Sequence, residues 1–320
     1  MNIPVVDFDV YRVGVEDVAE EKLDVLCKEL RSAFTEVGFV YLKNTGISQY
    51  EVDTMMNISK TFFLLPHEAK MPFLRGKHAD PNQGWVSSGT ERLNSRRACD
   101  LKEAFNTSSL LPSMKWPSEE VLPGFREKQV WFYRRCADLS LRVLRVLALS
   151  LGLDPDFFLS KHSRVVDGEQ QAGGQRNGTT LRLLYYPPVQ TECVQEGQVR
   201  CGEHSDFGTI TLVFQGPGGG LQVGVLGRSG DFIAAPTIPG TVLVNIADLM
   251  QRWTSDVLIS AVHRVLLPPP GDMSERQSVV FFLHPDDDAV ITCCDGTDKY
   301  PAITALDYLM ERLENSYRRK

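Results

Sequence analysis

Apolar residues follow two different rhythms along this chain, and the change comes near residue 180. In the first half they recur every three or four residues, which predicts helices over residues 15–37, 50–63 and 119–151. A run of β-branched and aromatic residues, 38–42, predicts a strand after the first helix. Residues 305–317 return to the helical rhythm at the end of the chain.

Beyond residue 180 the chain is divided into short β-rich runs separated by Gly and Pro. The predicted strands are residues 181–186, 198–203, 209–214, 221–225, 241–246, 261–267 and 278–284. Many short strands with turn residues between them are typical of a barrel or jelly roll. Residues 164–180, rich in Gly and polar side chains, are predicted to form a loop. The pattern therefore predicts a mainly β fold with helices around a distorted barrel.

Composition excludes several classes of protein. Apolar residues make up 42% of the chain and charged residues 23%, which is the balance of a soluble globular protein. The 34 Lys and Arg are outnumbered by 41 Asp and Glu, and they form no basic stripe, so nucleic acid is not an expected partner. No segment approaches the roughly 20 consecutive apolar residues of a membrane span, so we expect a cytoplasmic protein.

Cysteine usage agrees with a reducing compartment. The seven cysteines are scattered without the spacing of a zinc site. The adjacent Cys293 and Cys294 would point to opposite faces of a strand, which argues against a redox pair.

Three residues of the β-rich half carry metal-binding chemistry. His204 and Asp206 lie two positions apart at the end of a predicted strand, where both side chains can face the same way. His263 lies in an apolar strand, where an imidazole is either a satisfied core group or a metal ligand. Two histidines and one carboxylate form a facial triad that leaves three positions of an iron(II) ion open, although zinc can take the same ligands.

Arg276 and Ser278 lie one hairpin beyond His263 and share a strand face with Phe282. An inward arginine beside a hydroxyl group is a bidentate cradle for a carboxylate, and burying that arginine without an anion would be costly. The expected ligand is the far end of a dicarboxylate. The alternative is an outward Arg276 in a surface ion pair.

The order and surroundings of these residues resemble the 2-oxoglutarate and iron(II) dioxygenase superfamily, in its isopenicillin N synthase-like, plant-type branch. The resemblance rests on His-Ser-Asp-Phe-Gly-Thr from His204, His-Arg-Val from His263 and Arg-Gln-Ser from Arg276, and it covers nearly the whole chain. It implies a double-stranded β-helix, or cupin-like jelly roll, over residues 166–320. Helical N-terminal elements, residues 1–165, would pack on this core, and the two parts can form one globular unit.

The resemblance also implies roles for individual residues. The implied ligands of iron(II) are His204, Asp206 and His263, and the implied contacts of 2-oxoglutarate are Arg276, Ser278 and Tyr186. The family's usual Asn two positions before the tyrosine is Leu184 here, so one polar contact is absent. Asn245 and Asp248 match a family pattern near the iron and would either orient the metal ligands or shape the turn after their strand.

The activity that the resemblance implies is oxidation of a small molecule by dioxygen, through hydroxylation, desaturation or cyclisation. Succinate and carbon dioxide would be released, and ascorbate is an expected stimulant. One alternative is an iron oxidase of the same fold that does not consume 2-oxoglutarate, which succinate release would distinguish. Another is an inactive jelly-roll binding module, against which the intact triad and Arg276 argue.

Strand alternation suggests where the substrate would bind. If Tyr186 faces the co-substrate, Arg182 faces the same cavity and would hold an acidic group of the substrate. Alternatively, Arg182 pairs with an acidic residue of the protein or reinforces the co-substrate site. Phe282, on the Arg276 face, is expected to supply an apolar wall, and the family resemblance implies a second wall from Trp85, which follows Gly84 in a region that lines the pocket in relatives. No motif in the sequence encodes the identity of the substrate or the oligomeric state.

Overall fold

The structure is a computed structural model that describes residues 2–16, 18–76, 82–94, 96–108, 114–165, 177–190 and 194–318. The α-helices are α1 (Asp24–Glu36), α2 (Gln49–Phe63), α3 (His67–Lys70), α4 (Phe125–Ser150), α5 (Asp248–Trp253) and α6 (Ala305–Arg318). The strands are β1 (Val5–Asp7), β2 (Phe39–Lys43), β3 (Gly84–Val86), β4 (Glu103–Thr107), β5 (Thr180–Tyr186), β6 (Cys201–His204), β7 (Ile210–Gln215), β8 (Leu221–Gly224), β9 (Phe232–Ala234), β10 (Thr241–Ile246), β11 (His263–Val265), β12 (Arg276–Leu283), β13 (Val290–Ile291) and β14 (Ile303–Thr304).

Two sheets build the core. The larger has eight strands in the order β1-β2-β10-β7-β12-β5-β4-β3, and the smaller has four in the order β6-β11-β8-β9. One hydrophobic cluster contains residues of both sheets, such as Leu243 and Val280 from the larger and Val223 and Val265 from the smaller. The two sheets therefore enclose a common interior, which we call the barrel interior, and the predicted jelly roll is confirmed.

The outer face of the larger sheet is covered by helices. Helix α4 packs on β7 and β12 as well as on α1 and α2. The ring of Phe132 on α4 lies 5.0 Å from that of Phe214, and Tyr133 lies 5.0 Å from Phe281, both edge to face. These residues belong to a second and larger cluster, which we call the helix-side cluster. Burial of these aromatic rings stabilises the larger sheet on its outer face. The barrel interior lies on the other face and is available for a functional site.

Strands from both halves of the chain join the larger sheet. Strands β1 to β4 all precede residue 166, yet β2 pairs with β10 and β4 pairs with β5. The predicted boundary near residue 165 therefore does not separate two sheets. The predicted loop at residues 164–180 lies largely outside the described residues, since residues 166–176 are not among them.

The long helices are shorter at their beginnings than the sequence pattern predicted. Helix α1 begins at Asp24 rather than near residue 15, after a short 3₁₀ turn at Glu20–Lys22. Helix α4 begins at Phe125 because Gly124 has a φ of 70°, a left-handed conformation that a helix cannot continue through. No helix among the described ranges is long and apolar enough to cross a membrane.

Candidate active site

The two histidines of the predicted triad face each other across a strand pair. Strands β6 and β11 are antiparallel, and His263 is the register partner of His204, with ring centroids 4.2 Å apart. Asp206 follows β6, and its Oδ1 lies 3.9 Å from Nε2 of His204 and 3.7 Å from Nε2 of His263. The three donor atoms all lie within 4.8 Å of one another. They therefore share a common centre that one metal ion can occupy.

Hydrogen bonds fix which nitrogen of each histidine is free to bind a metal. Nδ1 of His204 lies 2.8 Å from the carbonyl oxygen of Gly202, and Nδ1 of His263 lies 3.2 Å from that of Ala261. A carbonyl accepts only from a protonated nitrogen, so Nε2 of each ring keeps its lone pair for the centre. This arrangement of backbone acceptors behind ligating imidazoles is common in metal sites.

The protonation states of the triad also fit a divalent cation. Burial, together with the neighbouring His204, lowers the pKa of His263 to about 4, so its ring is neutral at pH 7. Burial alone would raise the pKa of Asp206, but His263, His204 and a hydrogen bond from Asn245 hold it below its usual value. Two imidazole nitrogens and one carboxylate oxygen are the donor set of a facial iron(II) site.

Two further predicted residues lie directly behind the carboxylate. Nδ2 of Asn245 donates to Oδ2 of Asp206 at 2.8 Å. Asp248 begins α5, where its backbone nitrogen donates to the carbonyl of Asp206 at 2.8 Å and its carboxylate accepts from Ser205 at 2.9 Å. Asn245 thus contacts a triad side chain, whereas Asp248 holds the turn that carries it.

Steric contact explains why residue 208, in the His-Ser-Asp-Phe-Gly segment, is a glycine. A Cβ placed on Gly208 would lie 2.2 Å from the carbonyl oxygen of Leu283, on the neighbouring strand β12. Any side chain at residue 208 would push this segment away from β12. Glycine therefore allows the turn after Asp206 to lie against the larger sheet.

Arg276 and Ser278 lie inside the barrel as predicted. Across the β5–β12 pair, Arg276 is the partner of Tyr186, and the guanidinium carbon lies 4.9 Å from the centre of the tyrosine ring. Nη1 of Arg276 donates to Oγ of Ser278 and Nη2 donates to Oε1 of Gln215, both at 3.2 Å. Arg276 is only 2% exposed, which excludes the alternative of a surface ion pair.

The charge of Arg276 is not balanced within the described part of the chain. Its partners there are neutral, and its Nε has no hydrogen-bond partner. A buried guanidinium without an anion is costly, so the arrangement fits an anionic ligand. Gln215 was not predicted from the sequence. The feature that could have indicated its role is its position at the end of β7, where it pairs with Ser278 in the sheet.

Arg182, in contrast, has its anion within the protein. It donates to Glu91, which also accepts from Arg75 at 2.8 Å and lies 3.7 Å from Nζ of Lys102. Burial would raise the pKa of Glu91, but Arg182, Lys102 and Arg75 together lower it to about 2. Arg182 already has an anionic partner in Glu91, so this arginine does not require an acidic substrate.

The expectation that Trp85 lines the pocket is wrong. Trp85 belongs to the helix-side cluster, where its Nε1 donates to Glu103 at 2.7 Å and its ring contacts His67. Adjacent residues of a strand point to opposite faces, so Val86 contributes to the barrel interior instead. Phe282 packs against the barrel-interior cluster, on the side expected for it.

The chain is similar to known proteins over nearly its full length. Residues 3–131 match the family described as non-haem dioxygenase in morphine synthesis N-terminal, and residues 177–285 match the 2OG-Fe(II) oxygenase superfamily. The 2-oxoglutarate-Fe(II) type oxidoreductase ppzD of Metarhizium rileyi is 31% identical over 91% of this chain and 86% of its own length. Proline hydroxylase buaE of Petromyces alliaceus is 32% identical over 97% of this chain and 100% of its own.

A solved structure shares the whole fold. A full-length Neurospora crassa protein, crystallised in complex with alpha-KG and thymine, superposes with a TM-score of 0.82. It is 32% identical, and the match covers 98% of this chain and 97% of that one. The similarity therefore includes both the N-terminal elements and the jelly-roll core.

Proposed function

Because the chain belongs to the 2OG-Fe(II) oxygenase superfamily, we propose that His204, Asp206 and His263 hold its iron and that Arg276, Ser278 and Tyr186 hold its 2-oxoglutarate. The protein is an iron(II)- and 2-oxoglutarate-dependent dioxygenase. It oxidises a substrate with dioxygen and releases succinate and carbon dioxide. The proposal concerns which side chains of this chain do each part of that work.

The observation that carries the proposal is the unbalanced charge of Arg276. This guanidinium lies in the same barrel interior as the triad, is 2% exposed and has neutral partners in the described ranges. A dicarboxylate that reaches the metal with one end would place its other carboxylate here. The Arg276 guanidinium and the hydroxyl groups of Ser278 and Tyr186 would then donate to it together.

The protein itself positions the reacting molecules and excludes water from them. Bound iron(II) supplies the activation of dioxygen, with electrons from the oxidative decarboxylation of 2-oxoglutarate. Phe39 packs edge to face on His263 with ring centroids 5.4 Å apart, so the inner side of the triad is apolar. An apolar wall of this kind keeps solvent from the reacting groups and holds the His263 ring in place.

For the substrate we propose a small, neutral molecule with both hydrogen-bond donors and acceptors. Arg182 lies on the inward face of β5 with Leu184 and Tyr186, and its ion pair with Glu91, which Arg75 and Lys102 also contact, offers a donor and an acceptor side by side. Phe282 supplies an apolar surface. The thymine bound by the Neurospora crassa protein is a molecule of this kind. Acidic substrates remain the competing class, and the test includes them.

A screen for substrate-stimulated succinate formation tests the proposal. The iron-loaded protein would be incubated in air with 2-oxoglutarate, ascorbate and panels of nucleobases, amino acids and carboxylic acids. We expect stimulation by a neutral polar compound and none by the same compound in the Asp206→Ala variant. Arg182→Met should raise the KM of the active compound and spare uncoupled 2-oxoglutarate consumption. Stimulation confined to carboxylic acids would overturn the neutral-substrate proposal and leave the site assignments standing.

A further inference from the structure

A second buried arginine lies beside the predicted co-substrate cradle. Arg200 immediately precedes β6 and is 0% exposed. One of its nitrogens, Nη2, donates to the backbone carbonyl of Ser274, two residues before Arg276. Its Nε and Nη1 have no hydrogen-bond partner among the residues that the structure describes. Two unsatisfied donors on a buried cation are costly unless a ligand completes them.

The described residues around Arg200 provide little negative charge. The carboxylate that acts on it is that of Asp272, which is exposed and accepts a 2.8 Å hydrogen bond from the backbone of Ser274. Interactions of exposed carboxylates are weakened by solvent. Burial and the like charge of Arg276 lower the pKa of Arg200, so the two guanidinium groups lie within each other's field. Two such cations in one buried region repel each other, and an anion between them would offset this cost.

We infer that Arg200 is a second anion-binding residue of the co-substrate site, donating to the same distal carboxylate of 2-oxoglutarate as Arg276 and Ser278. An ionised carboxylate can accept about four hydrogen bonds. One hydrogen bond each from Arg276, the Ser278 hydroxyl and the Tyr186 hydroxyl would use three of them, which leaves one for Arg200. This inference rests on the proposed placement of 2-oxoglutarate.

A second cation here would act on specificity as well as affinity. Its attraction applies to the distal carboxylate and not to the 2-oxo acid end, which the metal binds. The site should therefore discriminate strongly between 2-oxoglutarate and 2-oxopentanoate, which has the same five-carbon chain without the distal carboxylate. Removing Arg200 should reduce this discrimination.

The test is calorimetric titration under nitrogen of both compounds into the Mn(II)-loaded protein, which requires no turnover. Arg200→Met should weaken the binding of 2-oxoglutarate by about tenfold to a hundredfold, the loss of a hydrogen bond to a charged group. The affinity for 2-oxopentanoate should not change. Arg200→Lys, which keeps the charge, should fall between the two. Arg228→Met, which removes an exposed arginine, is the matched control and should bind both compounds as the wild type does.

Thermal unfolding of the ligand-free protein separates binding from a structural role. Removal of an unpaired buried charge should leave the Tm of Arg200→Met unchanged or higher. A lower Tm, with both compounds weakened equally, would show that Arg200 is structural and would overturn the inference. Unchanged 2-oxoglutarate affinity in Arg200→Met, with weakened affinity in Arg276→Leu, would overturn the inference alone. Unchanged affinity in both variants would overturn the proposed co-substrate site as well.

Discussion

Asn245 binds one oxygen of the Asp206 carboxylate, at 2.8 Å, and so leaves the other oxygen directed at both histidines. Asn245 lies on β10, in the larger sheet, whereas His204 and His263 lie on the smaller sheet. The hydrogen bond therefore ties the carboxylate of the triad to the opposite wall of the barrel. This fixes the rotation of the carboxylate, which the chain would otherwise leave free in the turn after β6.

Asn245→Leu should weaken metal binding without removing a ligand. Groups that orient metal ligands typically contribute a factor of about 10 to 100 in metal affinity. Titration of the apo-protein with Mn(II) would measure the change. Asn57→Leu, at an exposed position of α2, is the control. Equal Mn(II) affinity in the wild type and Asn245→Leu would contradict the orienting role.

Arg276→Leu should raise the KM for 2-oxoglutarate far more than the iron requirement. Breaking a buried charge pair costs about 3 to 5 kcal/mol, and the metal ligands are untouched. The control is Arg31→Leu, which removes an exposed arginine on α1. If Arg276→Leu instead loses iron and keeps its KM for 2-oxoglutarate, the assignment of this arginine is incorrect.

Arg312→Met should weaken the retention of iron, because Arg312 supports the site from the C-terminal helix α6. Arg312 on α6 pairs with Asp248, lies 3.3 Å from Oγ of Ser205 and stacks 5.1 Å from the Phe207 ring. Because the pair is partly exposed, we expect a loss of only about 1 kcal/mol in the free energy of unfolding.

The sensitive readout for Arg312→Met is the rate of iron loss to a chelator, which should increase. Glu311→Gln, at the exposed neighbouring position, should release iron at the wild-type rate. Iron loss at the same rate in all three proteins would show that α6 does not support the site.

The free energy of unfolding should fall as the pH drops from 6.5 towards 4. Burial lowers the pKa of His162 to about 4, and its ring contacts the carbonyl of Phe158 and the hydroxyl of Thr209. Between pH 6.5 and 4 the unfolded state therefore binds a proton at this residue and the folded state does not, so stability is lost as the pH falls.

His162→Gln should flatten this pH dependence in the apo-protein. One such histidine contributes up to about 1.4 kcal/mol per pH unit in that range. Urea unfolding at pH 7, 6 and 5 measures the slope, and Asn57→Gln, at an exposed position without a titratable group, should leave it unchanged. His263 and His284, whose pKa values burial also lowers to about 4, contribute to the slope that remains. A His162→Gln slope equal to that of the wild type would contradict this explanation.

The sequence predicted those parts of the site that lie on strands in which inward-facing and outward-facing residues clearly alternate. Strand β10 has the predicted bounds, and Arg276 and Ser278 lie inward on β12 as their spacing required. The resemblance implied that His204 and His263 bind the same metal ion, and the register of β6 and β11 places the two residues opposite each other.

The rest depended on contacts that a local pattern does not contain. Trp85 was expected in the pocket from its region alone, and strand β3, with three residues, is too short for alternation to show which face Trp85 takes. Arg182 and Glu91 are 91 residues apart, so their pairing is visible only in the folded chain. Helix α5, with six residues, is too short for a helical rhythm to be recognised.

The central claim is that the triad and Arg276 bind the two ends of one molecule. Calorimetric titration of 2-oxoglutarate under nitrogen, into protein with and without Mn(II), tests it most directly. We predict one 2-oxoglutarate per metal-loaded chain, with binding greatly weakened in the absence of metal and in both Asp206→Ala and Arg276→Leu. Binding of equal strength without the metal, or in the Asp206→Ala variant, would contradict the claim.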